Sequence, residues 1–426
     1  MNKKLLTISL ILLVVGLGLF LSGCTKQPTP ISNNNVSNNN QPAVVFNNVV
    51  DANNQFALDL YSEYKSKEGN IFFSPYSISS ALAMVHEGAK GKTADEMQAV
   101  LYLPNDSEKI HSDFVSINNE LNKADKKYNL SVANALWAQK DYPFLTEYLI
   151  TVEKYYGGKA TNLDFRTNTE KSRVTINNWV QNKTNDKIKD IIPKGSLTPD
   201  TRLVITNAIY FKANWSNQFD AENTVNGQFR LTSGATKEVE MMHQTNYFNY
   251  GETGNLQILE MNYLGDDISM LIILPKEDNL SALENTFSRK NLNDWKSSMK
   301  SEKVEVSLPK FKIETKYLMA DDLKSMGMPT AFKYPDADFT GISPATAESP
   351  NGELYIGEVI HQTFIELAEY GTEAAAATIV SMRAGASPVE EQPKIFKADH
   401  PFIFIIQQKD TGNILFMGRV TDPTQQ

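Results

Sequence analysis

The chain is nearly without cysteine: Cys24 stands alone among 426 residues. A single thiol forms no internal disulfide and supplies neither a zinc knuckle nor a redox pair. Histidine is also scarce, with only His86, His111, His243, His361 and His400. No two of these lie four apart and none sits in a His-Glu-x-x-His pattern, so the sequence nominates no metal site. Positive charge is short as well. A formal net charge of -9 argues against nucleic acid as a partner, which calls for a concentrated basic surface. The lysines at 183, 187, 189 and 194 are diluted by Asp186 and Asp190 and read as a solvated face. Catalytic signatures are missing too. Lys90-Gly91-Lys92-Thr93 has His86 where a phosphate loop needs its first glycine, and no Gly-x-Ser-x-Gly elbow occurs. The reading is a non-enzymatic chain with no cofactor and no metal.

What is present begins with an address. Met1-Asn2-Lys3-Lys4 is basic, and Leu5 to Leu21 is an apolar or small-residue run. Such a start, closed by small residues, is an export signal, although about 17 residues, at the lower edge of a membrane span, also allows a transmembrane anchor. The run ends in Leu21-Ser22-Gly23-Cys24, which resembles the prokaryotic lipobox. That resemblance implies cleavage before Cys24 and a lipid on its thiol, which tethers a chain without spanning the bilayer. The expectation is an exported, membrane-tethered protein of the cell surface or envelope. Residues 1–23 form the signal and 24–48 a linker rich in Asn, Pro, Gln, Ser and Thr. The linker has too little apolar surface to offset the entropy of ordering it.

Residues 49–426 have ordinary globular composition, with no linker or internal repeat. Helix is expected over Val50–Lys65, Ile78–Glu87 and Arg173–Thr184. A capping box is expected at Thr93-Ala94-Asp95-Glu96. Strands are expected over Leu130–Ala138, Arg202–Phe211, Val239–Met242, Leu256–Met261, Ser269–Leu274, Val304–Leu308, Phe402–Gln407 and Asn413–Val420. A further β-like stretch runs from Leu354 to Leu367. Helical and strand runs segregate, which points to the α+β class.

One segment has two readings. Glu369-Tyr370-Gly371-Thr372-Glu373 leads into Ala374, Ala375, Ala376, Ala377 and Thr378. Four alanines favour a short helix. Counted by twos, however, Thr372, Ala374, Ala376, Thr378, Val380 and Met382 make a small or apolar face, the period of a half-buried strand. The second reading is a hinge followed by a latent strand.

Several runs then carry a family resemblance. Asn70-Ile71-Phe72-Phe73-Ser74-Pro75-Tyr76-Ser77-Ile78, Thr201 to Trp215, Phe339-Thr340-Gly341-Ile342, Gly357 to Thr378, Ala398 to Phe402 and Phe416 to Val420 resemble the serpins, in the family's order. The resemblance covers 49 to 423. It implies one monomeric domain of several helices on three β-sheets, with an exposed reactive loop that a target serine protease cleaves. It further implies that the cut loop inserts as a new central strand and leaves the protease trapped as an acyl-enzyme. Glu369, Gly371, Thr372 and the residues to Thr378 resemble the hinge. Ser74, Ser77, Asn207 and His361 resemble the polar cluster under the parting strands, and Trp215 the aromatic where insertion starts. Tyr370 departs from the family, which more often has a charged residue there.

Family spacing puts the scissile bond at Gly385-Ala386, suited to an elastase-like or subtilisin-like enzyme. Arg383-Ala384 is the rival, suited to a trypsin-like one. The inserted stretch from Thr372 would run about 46 Å at strand rise. Two other functions stay open: a non-inhibitory binding or chaperone-like module, and a cysteine-protease inhibitor.

Overall fold

Helix starts are set by local chemistry. The Asn48 side chain accepts the Asp51 amide proton, and Ser74 does the same for Ser77. Pro75 follows at the first helical position, where a missing N–H costs nothing. The computed structural model describes residues 46–140, 143–346, 351–372 and 392–425, all within one compact unit, 43–426. The helices are α1 (Val49–Tyr64), α2 (Pro75–His86), α3 (Gly91–Leu101), α4 (Ser107–Leu121), α5 (Thr146–Tyr156), α6 (Thr169–Lys183), α7 (Leu280–Thr286), α8 (Arg289–Ser297) and α9 (Ala320–Met326). Strands β1 (Ile71–Phe73), β2 (Tyr128–Gln139), β3 (Lys159–Leu163), β4 (Leu203–Asn214) and β5 (Val225–Arg230) come first. They are followed by β6 (Thr236–Thr253), β7 (Leu256–Asn262), β8 (Ile268–Pro275), β9 (Lys300–Pro309) and β10 (Phe311–Leu318). The last are β11 (Ile360–Ala368), β12 (Gly371–Thr372), β13 (Lys394–Lys397), β14 (Phe402–Gln408) and β15 (Ile414–Val420).

The strands form two hydrogen-bonded networks. One has six strands in the order β10-β11-β12-β4-β2-β3, and the other runs β1-β15-β14-β8-β7-β6-β9-β13 with β5 on β6. The larger joins two of the three expected sheets. The 18-residue β6 pairs with β5 and β9, then turns back onto β7 through its last five residues. The class is α+β, as expected.

The main core lies between the networks. Residues Ile205, Ile209, Phe211 and Ala213 of β4 face it together with α2 and the buried strands β8, β14 and β15. The other face of the six-stranded sheet packs a smaller core, in which Ala208, Trp137 and Ile360 meet Ile176 and Val180 of α6. The two faces of β4 alternate as strand geometry requires.

Two local expectations fail. The capping box is absent because α3 begins at Gly91, two residues earlier than Thr93. Thr93 instead accepts the Asp338 amide, and Glu96 binds the backbone and hydroxyl of Thr330. Both side chains tie α3 to the 330–338 segment. The β-like stretch at Leu354 is strand only from Ile360. Ahead of it, Leu354 and Ile356 are buried without a ladder, and the Ile356 amide bonds Ala331 O. An apolar run alone does not separate buried coil from strand.

Candidate functional site

The six-stranded sheet has a seam between β4 and β11. From Ile360 to Phe364, β11 pairs directly and in parallel with Thr206 to Tyr210 of β4. Above that the strands part. Gly371 and Thr372 enter the gap antiparallel to both, with Thr372 opposite Leu367 on one side and Ala213 on the other. Two residues of the expected hinge therefore form a short strand. Gly371 is obligatory there: its φ is +148°, and a Cβ would lie 2.0 Å from Ala213 O.

The gap is braced on each side. Thr372 is 1% exposed, and its hydroxyl shares a 2.6 Å hydrogen bond with the Tyr263 hydroxyl. Burial pushes the Tyr263 phenol up, out of the titrating range, so it stays a neutral partner. Trp215 stacks on Tyr263 with centroids 4.3 Å apart and donates its indole N–H to Ala368 O. The Trp215 amide bonds Tyr370 O, and the Phe219 amide bonds Glu369 O. Glu369 itself accepts from Thr224 at 2.9 Å and lies 3.3 Å from Lys310. Burial pushes its carboxyl up, but hydrogen bonds from backbone, Thr224 and Lys310 outweigh that and hold it below the usual range. Tyr370 takes part through its carbonyl, so its departure from the family leaves this bracing intact.

Midway down the seam sits the polar cluster. Ser74, Ser77, Asn207 and His361 are each at most 1% exposed. His361 and Asn207 face each other directly across the β11–β4 pairing, with Nδ1 and Oδ1 2.5 Å apart. The Ser74 amide donates to His361 Nε2 at 3.0 Å. Nε2 is thus the acceptor, and Nδ1–H donates to Asn207. The Asn207 amide group donates onward to Ser77 and to Asn134 Oδ1. Ser74 also donates to Leu415 O. Burial drives the His361 pKa down to about 3, so the ring is neutral.

Sequence reasoning thus placed these four residues in one cluster and Trp215 apart from it, eight residues further along β4 and its exit. It missed Asn134, Tyr263, Thr224 and Lys310. Asn134 had a signal, being an amide in the apolar run of β2. Tyr263 had none. Ala374 to Thr378, Arg383, Ala384, Gly385, Ala386 and Cys24 lie outside the described residues. Among the described residues no cluster of metal-ligating side chains occurs, and no helix is long and apolar enough to cross a membrane.

Comparison with known proteins shows the family to which this fold belongs. The family model "Serpin (serine protease inhibitor)" matches residues 51–423. An uncharacterized serpin-like protein of Methanosarcina mazei is 42% identical over 98% of both chains. The human leukocyte elastase inhibitor is 39% identical over 87% of this chain and 98% of its own. Among solved structures, uncleaved ovalbumin superposes with a TM-score of 0.78 at 32% identity, covering 88% of this chain and all of that one. The chain belongs to the serpin family, which its model describes as serine protease inhibitors.

The neutral His361 sets a pH dependence. Unfolded histidine gains its proton near pH 6.5, whereas folded His361 resists it down to about 3. As pH falls below about 6.5 the unfolded chain binds a proton that the folded chain does not, so stability drops by up to about 1.4 kcal/mol per pH unit from this group. Urea unfolding of wild type and His361→Gln between pH 7 and 5 checks this. Wild type should lose more stability over that interval. Parallel losses in the two proteins would show that His361 is not held neutral.

Proposed function

We propose that the chain inhibits serine proteases by covalent trapping. The protease serine attacks the loop, forms an acyl-enzyme, and is carried off as the cut loop inserts between β4 and β11. The observation that carries this reading is the pair Gly371-Thr372, already seated in the mouth of that gap. Insertion then needs only to continue the existing register. Six residues on from Thr372 is Thr378, and six back along β4 and β11 are Asn207 and His361. Thr378 would arrive between the two side chains whose bond closes the seam, and its hydroxyl can serve both. Ala374 and Ala376 offer no bulk to impede passage. The scissile bond is Gly385-Ala386, with an elastase-like or subtilisin-like target, and Arg383-Ala384 is the trypsin-like alternative. The monomeric domain 49–426 hangs from a linker, 24–48, lipidated at Cys24 after removal of 1–23. The site of action is the membrane surface of the cell envelope.

The test is incubation of residues 46–426 with elastase, subtilisin and trypsin. A complex that survives boiling in detergent is expected with at least one. The released C-terminal peptide, weighed by mass spectrometry, should begin at Ala386. A start at Ala384 selects the alternative bond, and clean cleavage with full protease activity across the panel removes the trapping claim.

Thr372→Arg should leave folding and cleavage intact while abolishing the stable complex. An unpaired cation against Tyr263 in the seam costs about 3–5 kcal/mol, enough to let deacylation win. Trapping at the wild-type ratio would contradict it.

Wild-type protein expressed with its leader should begin at Cys24, carry lipid and sediment with membranes. Cys24→Ser should remain unprocessed or mislocalised while its domain still inhibits, because a linker of about 20 residues rich in Asn, Pro, Gln, Ser and Thr separates anchor from fold. An unmodified thiol on soluble wild-type protein would overturn the anchor alone.

A further inference from the structure

Five asparagines among the described residues stand two positions before a serine or threonine with no proline between: Asn105, Asn129, Asn182, Asn214 and Asn279. In an exported chain that spacing is the acceptor pattern for an N-linked sugar. The fold separates the five. Asn129 lies inside β2, laddered to Lys212, and the following Leu130 is buried. Thr184, which completes the pattern of Asn182, is buried with its hydroxyl bonded to Val180 O and to the Ile188 amide. Trp215 after Asn214 is buried, and Ser216 donates to Tyr263 O. Leu280 after Asn279 is buried, and the Asn279 side chain caps α7. An enzyme that must grip three consecutive residues reaches none of these four in the folded chain.

Asn105-Asp106-Ser107 differs. All three are exposed, in the turn between α3 and α4. The turn is pinned from behind, with Leu103 and Pro104 buried. Gln98 Nε2 lies within hydrogen-bond reach of the carbonyls of both and donates to Asn105 Oδ1 at 2.9 Å. Asn105 Nδ2 has no partner among the described residues. The acceptor nitrogen therefore sits uncommitted on a surface turn that neither a ladder nor the core restrains. Three residues back, Tyr102 packs edge-on against Phe46 with centroids 5.7 Å apart. The turn thus stands beside the point where the chain enters the fold.

We propose that Asn105 carries an N-linked oligosaccharide and that this sugar shields the entry of the linker from proteases. The proposal rests on the export part of the functional reading. The donor is an oligosaccharide held on a polyprenyl phosphate. Asn105 Nδ2 attacks the anomeric carbon, and a C–N bond forms as the C–O bond to phosphate breaks. The lipid phosphate leaves with the electron pair, and the amide gives up one proton. The Ser107 hydroxyl is the group by which the transferase recognises the site. No residue of this turn belongs to the β4–β11 seam, so inhibition does not depend on the sugar.

The experiment expresses the full chain with its leader in the organism that encodes it and weighs its tryptic peptides. Peptide 93–109 should be heavier by one oligosaccharide in wild type. Asn105→Gln and Ser107→Ala should each lose that increment completely, and Ser107→Thr should keep it. Peptides bearing Asn129, Asn182, Asn214 and Asn279 should have their unmodified masses. All variants should match wild type in melting temperature and in protease trapped. An added protease should release the domain from membranes several-fold faster in Asn105→Gln than in wild type, and equal rates overturn the shielding role. A bare peptide 93–109 in wild type, or a sugar that survives Ser107→Ala, overturns the site. Sugar on the other four asparagines overturns the selection by the fold. Lipid at Cys24 with a bare Asn105 removes the sugar and leaves the anchor standing, whereas a sugar on a chain without lipid removes the anchor alone.

Discussion

Five residue pairs of parallel backbone ladder, Ile360 to Phe364 on Thr206 to Tyr210, close the seam between β4 and β11 on which the proposed function depends. Parallel pairing is slightly weaker per residue than antiparallel pairing. The same two strands accept Gly371 and Thr372 antiparallel just above. An alternative strand order, with the loop between β4 and β11, is thus already present in miniature. It replaces one parallel seam with two antiparallel ones. In the proposed mechanism, the covalent continuity of the chain, which must return to β13 at Lys394, keeps the exchange from running on before cleavage.

The polar cluster fits that exchange. A seam closed by apolar side chains would part at the cost of exposed surface and find no new partner. One closed by His361 and Asn207 parts by giving up a hydrogen bond that an incoming hydroxyl can replace. The rest of the network keeps the two groups fixed meanwhile. Ser74 caps α2 and holds Nε2 through its amide, and Ser77 and Asn134 hold the Asn207 amide group. A neutral ring is essential to this, since a buried imidazolium would lack an acceptor at Nε2.

Much of the architecture was legible from periodicity. The apolar runs of β4, β8, β14 and β15 located the central strands within three residues. The expected hinge rests on a small-residue face of period two, of which the described residues reach only Thr372, with Gly371 beside it in β12. Long-range partners were not legible. Thr93 and Glu96 have capping-box spacing, yet their bonds go to Asp338 and Thr330, over 230 positions away, which local pattern cannot encode. Leu354 and Ile356 look like strand because burial, not pairing, selects their type. Tyr263 gives no local sign that its hydroxyl meets Thr372, since that contact exists only once β7 and the hinge have come together.

The central claim is that the cut loop becomes a strand of the β4–β11 seam. Thermal unfolding of the domain before and after a single cut between residues 383 and 386 tests it most directly. Insertion adds two hydrogen-bonded ladders and buries Val380 and Met382, worth roughly 1.5–3 kcal/mol for each side chain. The account predicts that the cleaved protein melts well above the intact one despite the broken bond. A cleaved form that melts at or below the intact temperature would contradict it.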